Sequence, residues 1–361
     1  MPFCRRRCDY CAFATWTDRT HLADRYLAAC RGHVRRAVGD GALPRVTSVF
    51  VGGGTPSLVE PAPLAAVWAE ADRDPGAEVT VECNPDDVTP ALTRAYADLG
   101  VTRLSFGVQS MVPSVLRSLG RSHDPDAVRR AAEAAHAAGL PFNVDVIMGA
   151  AGETLADWER TLDEVVALGP VHVSAYGLTV EAGTPLADDP ARHPDEDHQA
   201  DAYLLADDRL AAAGFAWYEI SNWALPGHEC RHNRLYWDQG EYLGVGCAAH
   251  SHRAGRRYWN VRTPERYVEA VESDRPVEAA GEDLDDATRA LEALQLSVRT
   301  VEGVPAAAFD RPDRELLAGL LEPAGEDRVR LSRRGRLLAN EVALRLRPPA
   351  EVAVGPARRR T

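Results

Sequence analysis

The chain contains no lysine; its 41 basic residues are all arginine. A phosphate-binding P-loop needs its lysine and a Schiff-base enzyme needs a primary amine, so both classes are excluded. Long apolar runs are missing as well. None approaches the ~18 residues of a membrane-spanning helix, which predicts a cytosolic protein without a membrane span. Positive charge is in deficit: 41 basic against 54 acidic residues give a net charge of -13 and a pI near 5.4. That balance argues against a nucleic-acid partner, and the terminal Ala357-Arg358-Arg359-Arg360 reads as a frayed basic tail. Seven cysteines are an odd number, no signal-peptide pattern stands ahead of them, and a disulfide framework is therefore not expected.

Three of those cysteines are crowded into Cys4-Arg5-Arg6-Arg7-Cys8-Asp9-Tyr10-Cys11. A 4Fe–4S cube takes about one thiolate per iron. Three thiolates from one loop would hold three corners and leave the fourth iron open to an external ligand. An open iron is what a cluster needs to bind and reduce S-adenosylmethionine. Zinc is the competing reading, with Cys8 and Cys11 as a C-x2-C pair completed by Cys4 and a more distant ligand such as His21.

With 361 residues, 45% hydrophobic and 26% charged, the chain can hold one large domain and an appendage. Residues 1–221 alternate strand and helix patterns. Strands are predicted at 46–52, 78–83, 103–108, 142–148, 171–178 and 215–221, with amphipathic helices between them. Several helices end in glycine, at Gly100, Gly139, Gly169 and Gly214, as helix stops do. This rhythm predicts an α/β fold with a parallel sheet, open or rolled into a barrel whose site lies at the strand ends. Residues 222–284 break the rhythm, and the Trp-, Tyr- and His-rich stretch to Asn260 reads as loops. Residues 285–347 suggest a small, mainly helical domain of winged-helix type, and 348–361 a disordered tail.

The strand at Val49-Phe50-Val51 runs into Gly52-Gly53-Gly54-Thr55-Pro56. Glycines there allow backbone N–H groups to approach a ligand closely, which after a cysteine loop suggests a cradle for a methionine amino group. Further motifs follow: Glu82-Cys83-Asn84-Pro85, Ser105-Phe106-Gly107-Val108-Gln109-Ser110, Leu119-Gly120-Arg121-x-His123 and Asn143-Val144-Asp145-Val146-Ile147. With Pro2-Phe3-Cys4, these six in order resemble the radical S-adenosylmethionine superfamily, in its oxygen-independent coproporphyrinogen III oxidase-like branch. The resemblance covers residues 2 to about 250 and implies a partial, open β/α barrel. It implies Cys4, Cys8 and Cys11 as cluster ligands, Tyr10 against the adenine of S-adenosylmethionine, and Gly53, Gly54 and Thr55 at its methionine moiety. Glu82, Gln109, Arg121 and Asp145 match further positions that hold this cofactor.

Two features choose among relatives. The coproporphyrinogen oxidases resemble one another in a further cysteine two residues after the third, where this chain has Phe13. His232-Asn233-Arg234-Leu235-Tyr236-Trp237 instead matches the H-N-x-x-Y-W motif of HemW-type heme chaperones. Imidazole is a standard axial ligand of heme iron, and Tyr and Trp can cover a porphyrin face. The resemblance thus implies heme as a third cofactor with His232 as ligand, and His228, Cys230 and His250 as alternatives. The implied partners are a heme-acceptor protein, an electron donor for the cluster and, in a self-associating form, a second copy of the chain. Radical decarboxylation of a porphyrinogen is the enzymatic alternative, and a zinc-stabilised interaction protein the third. Members usually carry an apolar, Tyr-containing strand before Pro-Phe-Cys, so the sequence beginning at Met1-Pro2-Phe3 is expected to lack the first barrel strand.

Overall fold

A computed structural model describes residues 1–348; the tail expected to be disordered, from Pro349 on, lies outside the described residues. Five strands, β1 (Val46–Val51), β2 (Arg73–Cys83), β3 (Arg103–Gln109), β4 (Phe142–Met148) and β5 (His172–Gly177), pair in parallel in chain order. Helices α1 (Ala23–Gly39), α2 (Pro61–Trp68), α3 (Pro90–Asp98), α4 (Pro113–Ser118), α5 (Pro125–Ala137), α6 (Leu155–Ala167) and α7 (Glu196–Ala212) connect and cover them. Their starts are legible in the residues. Thr89, Asp124, Thr154 and Asp195 each accept a backbone N–H at the N-cap, and Pro90 and Pro125 open α3 and α5, where a missing N–H costs nothing.

Strand alternation divides the sheet into two chemically opposite faces. Val79, Val81, Leu104, Phe106, Val144, Val146 and Val173 face the helices and form the main core. The same-parity residues of the other face are Phe50, Glu78, Thr80, Glu82, Arg103, Ser105, Asn143, Asp145, His172, Ser174 and Tyr176. A concave face this polar is poorly suited to be a core. It positions a site.

The sixth expected strand does not continue the parallel order. β6 (Ala216–Glu219) and β7 (Asn222–Ala224) form an antiparallel hairpin, and β7 lies between β5 and β6. Only two residues separate them, too few for a crossover. The stretch read as loops is also structured. It holds the helix α8 (Arg231–Trp237) and the antiparallel pair β8 (His250–Arg253) and β9 (Arg256–Asn260), extended by β10 (Glu278–Asp283) beyond α9 (Pro264–Glu272). A seven-residue helix and short hairpin strands give too little periodicity to separate them from loops.

After α10 (Asp286–Ser297), β11 (Val304–Pro305), α11 (Arg311–Leu316), β12 (Leu321–Pro323) and β13 (Arg328–Leu331) precede α12 (Arg333–Leu337) and α13 (Ala339–Ala343). The three short strands pair antiparallel in the order β11-β13-β12. Val298, Phe309, Leu331 and Val342 give this part a core of its own.

Candidate cofactor and ligand site

The concave face carries two carboxylates that no arginine pairs among the described residues. Glu82 ends the inner row of β2, and one carboxylate oxygen accepts the Gly53 N–H at 3.0 Å. Asp145 on β4 accepts the Ser105 hydroxyl at 3.2 Å, and Ser174 bonds it as well. Among the described residues neither has an arginine within ion-pair distance. Burial, and then the Asp145 charge, push Glu82 up to about 7; burial pushes Asp145 up to about 6. Glu82 keeps part of its surface open to the concavity although protein surrounds it. Two desolvated carboxylates without an arginine partner suit a positively charged ligand.

The cysteine loop closes over the same end of the sheet. Cys4, Cys8 and Cys11 are free and half-buried. Burial first, and then the neighbouring thiols, push Cys4 and Cys11 up. Arg121 lies beneath them. Its guanidinium donates to the Cys8 sulfur at 3.4 Å and to the Asn84 side chain and Gly107 carbonyl at 2.8 Å each, while its buried Nε has no partner. A fixed cation against one of the three thiols suits an anionic iron–sulfur cluster. Zinc needs ligands converging on one point, and among the described residues no three His, Cys, Asp or Glu side chains do so; His21 is exposed on a short 3-10 turn. A cube presents its irons at separate corners and has no such requirement.

The glycine turn differs in detail from its expected role. The Gly53 N–H is used by Glu82, that of Gly54 by the Met1 carbonyl at 2.6 Å, and that of Thr55 by the Phe3 carbonyl at 2.8 Å. An amino group is itself a donor, so acceptors such as Glu82, rather than these N–H groups, complement it. The glycines are required by close packing. A Cβ at Gly54 would lie 2.5 Å from the Phe3 carbonyl, and one at Gly53, where φ is +107°, 2.7 Å from that of Met1. Thr55 reaches the Cys4 sulfur at 3.6 Å, tying the turn to the cysteine loop.

Gln109 sits at the β3 bulge with φ +64°, a conformation costly for a non-glycine residue, and is nearly buried. Tyr10 is wedged between Arg121 and the apolar group of Val112, Leu119 and Ile147. The expected residues thus gather at the carboxyl ends of β1 to β4, except His232.

His232 stands on α8, yet it is not remote. Its ring stacks on Phe50 of β1, with centroids 4.6 Å apart and planes 10° apart, and Tyr236 meets it edge-on at 4.6 Å. Phe50 in turn borders Gly52: a Cβ there would lie 2.8 Å from both Phe50 and Glu82. In the H-N-x-x-Y-W spacing, His232 with Tyr236 and Asn233 with Trp237 are i, i+4 pairs that share a helix face. Burial lowers His232 to about 4, so the imidazole is neutral and keeps a lone pair. It lines a cavity of ≈ 950 Å³ with Phe50, Tyr236, Tyr242 and His250, along the free outer edge of β1. Of the alternative ligands, Cys230 is buried with its sulfur on Glu78 at 3.6 Å, and His250 stacks on Trp259. Sequence reading passed over Phe50, Asn84, Ser105, Ser174 and Tyr176. The period-2 alternation of the strands was the signal for four of them.

The fold agrees with that of known proteins. Residues 1–165 match the model of the radical SAM superfamily. The heme chaperone HemW of Mycobacterium tuberculosis (strain H37Rv) is 42% identical over 360 residues, covering 95% of this chain and 92% of the relative. HemW of Escherichia coli (strain K12) is 36% identical over 77% of each chain, and that of Bacillus subtilis (strain 168) 30% identical over 95% and 96%. Coproporphyrinogen III oxidase (HemN) from Escherichia coli shares the fold, with a TM-score of 0.83 over 95% of this chain and 88% of that one, at 20% identity. The chain therefore belongs to the radical SAM superfamily and, within it, to the family of the heme chaperones HemW.

Proposed function

We propose that the chain binds heme and passes it to an acceptor protein, and that it carries a 4Fe–4S cluster and S-adenosylmethionine beside the heme site. The observation that carries this reading is His232: a neutral imidazole on the wall of a ≈ 950 Å³ cavity, flanked by Phe50 and Tyr236. Such an imidazole ligates heme iron, and aromatic walls cover a porphyrin.

Cys4, Cys8 and Cys11 would hold the cluster, with Arg121 offsetting its negative charge. Glu82 and Asp145 suit the amine and sulfonium of S-adenosylmethionine, Gln109 and Tyr10 add a polar and an aromatic neighbour, and the turn at Gly53, Gly54 and Thr55 fixes Glu82 against the cluster loop. When bound, the cluster supplies an electron to the sulfonium cofactor. The chain's own residues orient that cofactor and exclude water at the strand ends. An electron donor for the cluster and a heme acceptor complete the set of partners.

The test is anaerobic reconstitution with iron and sulfide, followed by titration with heme and, separately, with coproporphyrinogen III. Saturable heme binding without decarboxylation of the porphyrinogen supports the reading. Multiple-turnover decarboxylation would replace it with the enzymatic one.

A further inference from the structure

A second cavity, of ≈ 470 Å³, lies between the open end of the sheet and the C-terminal part. One wall is Tyr176, Asn222 and Asn233; the other is Arg299 and Asn340, after α10 and on α13. Asn233 and Tyr236 also line the larger cavity, so α8 borders both. Of the two arginines that line this cavity, Arg299 is the one without a carboxylate partner. It donates to the Gln295 carbonyl and, at 2.8 Å, to the Asn340 side-chain oxygen, but among the described residues no carboxylate lies within ion-pair distance of it. Arg336, on the same wall, is already paired with Asp207 at 2.8 Å.

An arginine held in a cavity by neutral partners keeps a full charge with N–H capacity to spare, and burial disfavours that charge. An incoming carboxylate would restore what the site lacks, since guanidinium and carboxylate match as a fork. Glu219, the acid in this wall, is no rival. It is 2% exposed, bonded to the Ser221 N–H and the Asn222 side chain, and burial favours its neutral form.

We propose that Arg299 is the anchor for a carboxylate-bearing ligand in this cavity, and that the carboxylate is a propionate of the heme held at His232. This rests on the heme reading. It assigns the C-terminal part a share of the ligand: α8 offers the iron ligand, and Arg299 fixes the porphyrin edge.

The test compares heme with heme dimethyl ester, whose propionates are uncharged, on the reconstituted full chain and on Arg299→Gln. The unaltered chain should bind heme about tenfold more tightly than the ester, equivalent to about 1.4 kcal/mol. Arg299→Gln should bind both with the weaker affinity, and Arg299→Lys should recover part of the difference. The ester comparison on the unaltered chain does not depend on how the variant folds. Equal affinity for heme and ester, with Arg299→Gln unchanged, would overturn the propionate assignment while leaving heme binding intact. Absence of saturable heme binding by the unaltered chain would overturn the heme reading and this assignment with it.

Discussion

The His232 imidazole lies parallel to the Phe50 ring, with centroids 4.6 Å apart. This stack joins α8 to the strand that opens into the glycine turn, and through Gly52 and Glu82 it connects the expected heme ligand to the expected cofactor site. The sequence places these residues about 180 positions apart; the fold makes them neighbours.

The cluster assignment is tested by thiol removal. Replacing Cys4, Cys8 or Cys11 with Ala should each abolish bound iron and labile sulfide, because one loop supplies every protein bond to the cluster. Cys30, Cys83 and Cys230 are buried elsewhere, and their Ala variants should keep the iron content of the unaltered protein. Full iron and sulfide in the Cys8→Ala variant would refute the assignment.

The glycine turn offers a steric test. Gly54→Ala puts a Cβ 2.5 Å from the Phe3 carbonyl, one residue before Cys4. The turn and the cysteine loop cannot both keep their positions, so reconstitution should fail, with a stability loss of about 1–3 kcal/mol. Gly76→Ala meets nothing within 4 Å and should leave the thermal midpoint and iron content unchanged. Iron content at the unaltered level in Gly54→Ala would show that the contact is not needed.

The carboxylate pair predicts a pH dependence. In the folded chain Glu82 titrates near about 7 and Asp145 near about 6, raised from 4.5 and 3.8. The folded state therefore binds protons that the unfolded state has released. The stabilising contribution of protonation is full below pH 3.8 and is lost as pH rises through about 6 and 7. Affinity for S-adenosylmethionine should rise over the same window, since the ionised carboxylates attract its positive charge. Calorimetric titration at pH 5.5 and 8 measures this, and Glu82→Gln should flatten the dependence. Equal affinity at both pH values in the unaltered chain would remove Glu82 and Asp145 from cofactor binding.

Gln109 separates strain from function. Gln109→Gly removes the cost of its positive φ, worth about 1 kcal/mol, and offsets part of the lost side-chain packing. Its thermal midpoint should stay close to that of the unaltered protein, while S-adenosylmethionine binds about tenfold more weakly through loss of a charge-assisted hydrogen bond. A large drop in the midpoint with unchanged affinity would make Gln109 purely structural.

Much of this arrangement was legible in the residues. The parallel strands followed from β-rich runs between amphipathic helices; the alternation of Glu78, Thr80 and Glu82 carried a sign of the polar inner face that sequence reading passed over. Insertion of the antiparallel β7 between β5 and β6 was not legible, because strand order and direction depend on connection geometry and two short strands carry no sign of it. α8 escaped because seven residues give barely two turns of periodicity. The close packing of the glycines was not legible either, because their neighbours, Met1 and Phe3, are about fifty residues away in sequence and their carbonyls carry no mark of it. Arg299 carries no mark in the sequence; only the fold sets it in a cavity wall without a paired carboxylate.

The central claim is that His232 ligates heme while the cluster resides in the separate cysteine loop. Heme titration of the reconstituted chain and of His232→Ala, followed at the Soret band with iron and sulfide measured in the same samples, tests it most directly. The unaltered chain should bind heme saturably. His232→Ala should show a shifted Soret band and weaker affinity, with cluster content unchanged. Identical heme spectra and affinities in the two proteins, or loss of heme and cluster together, would contradict it.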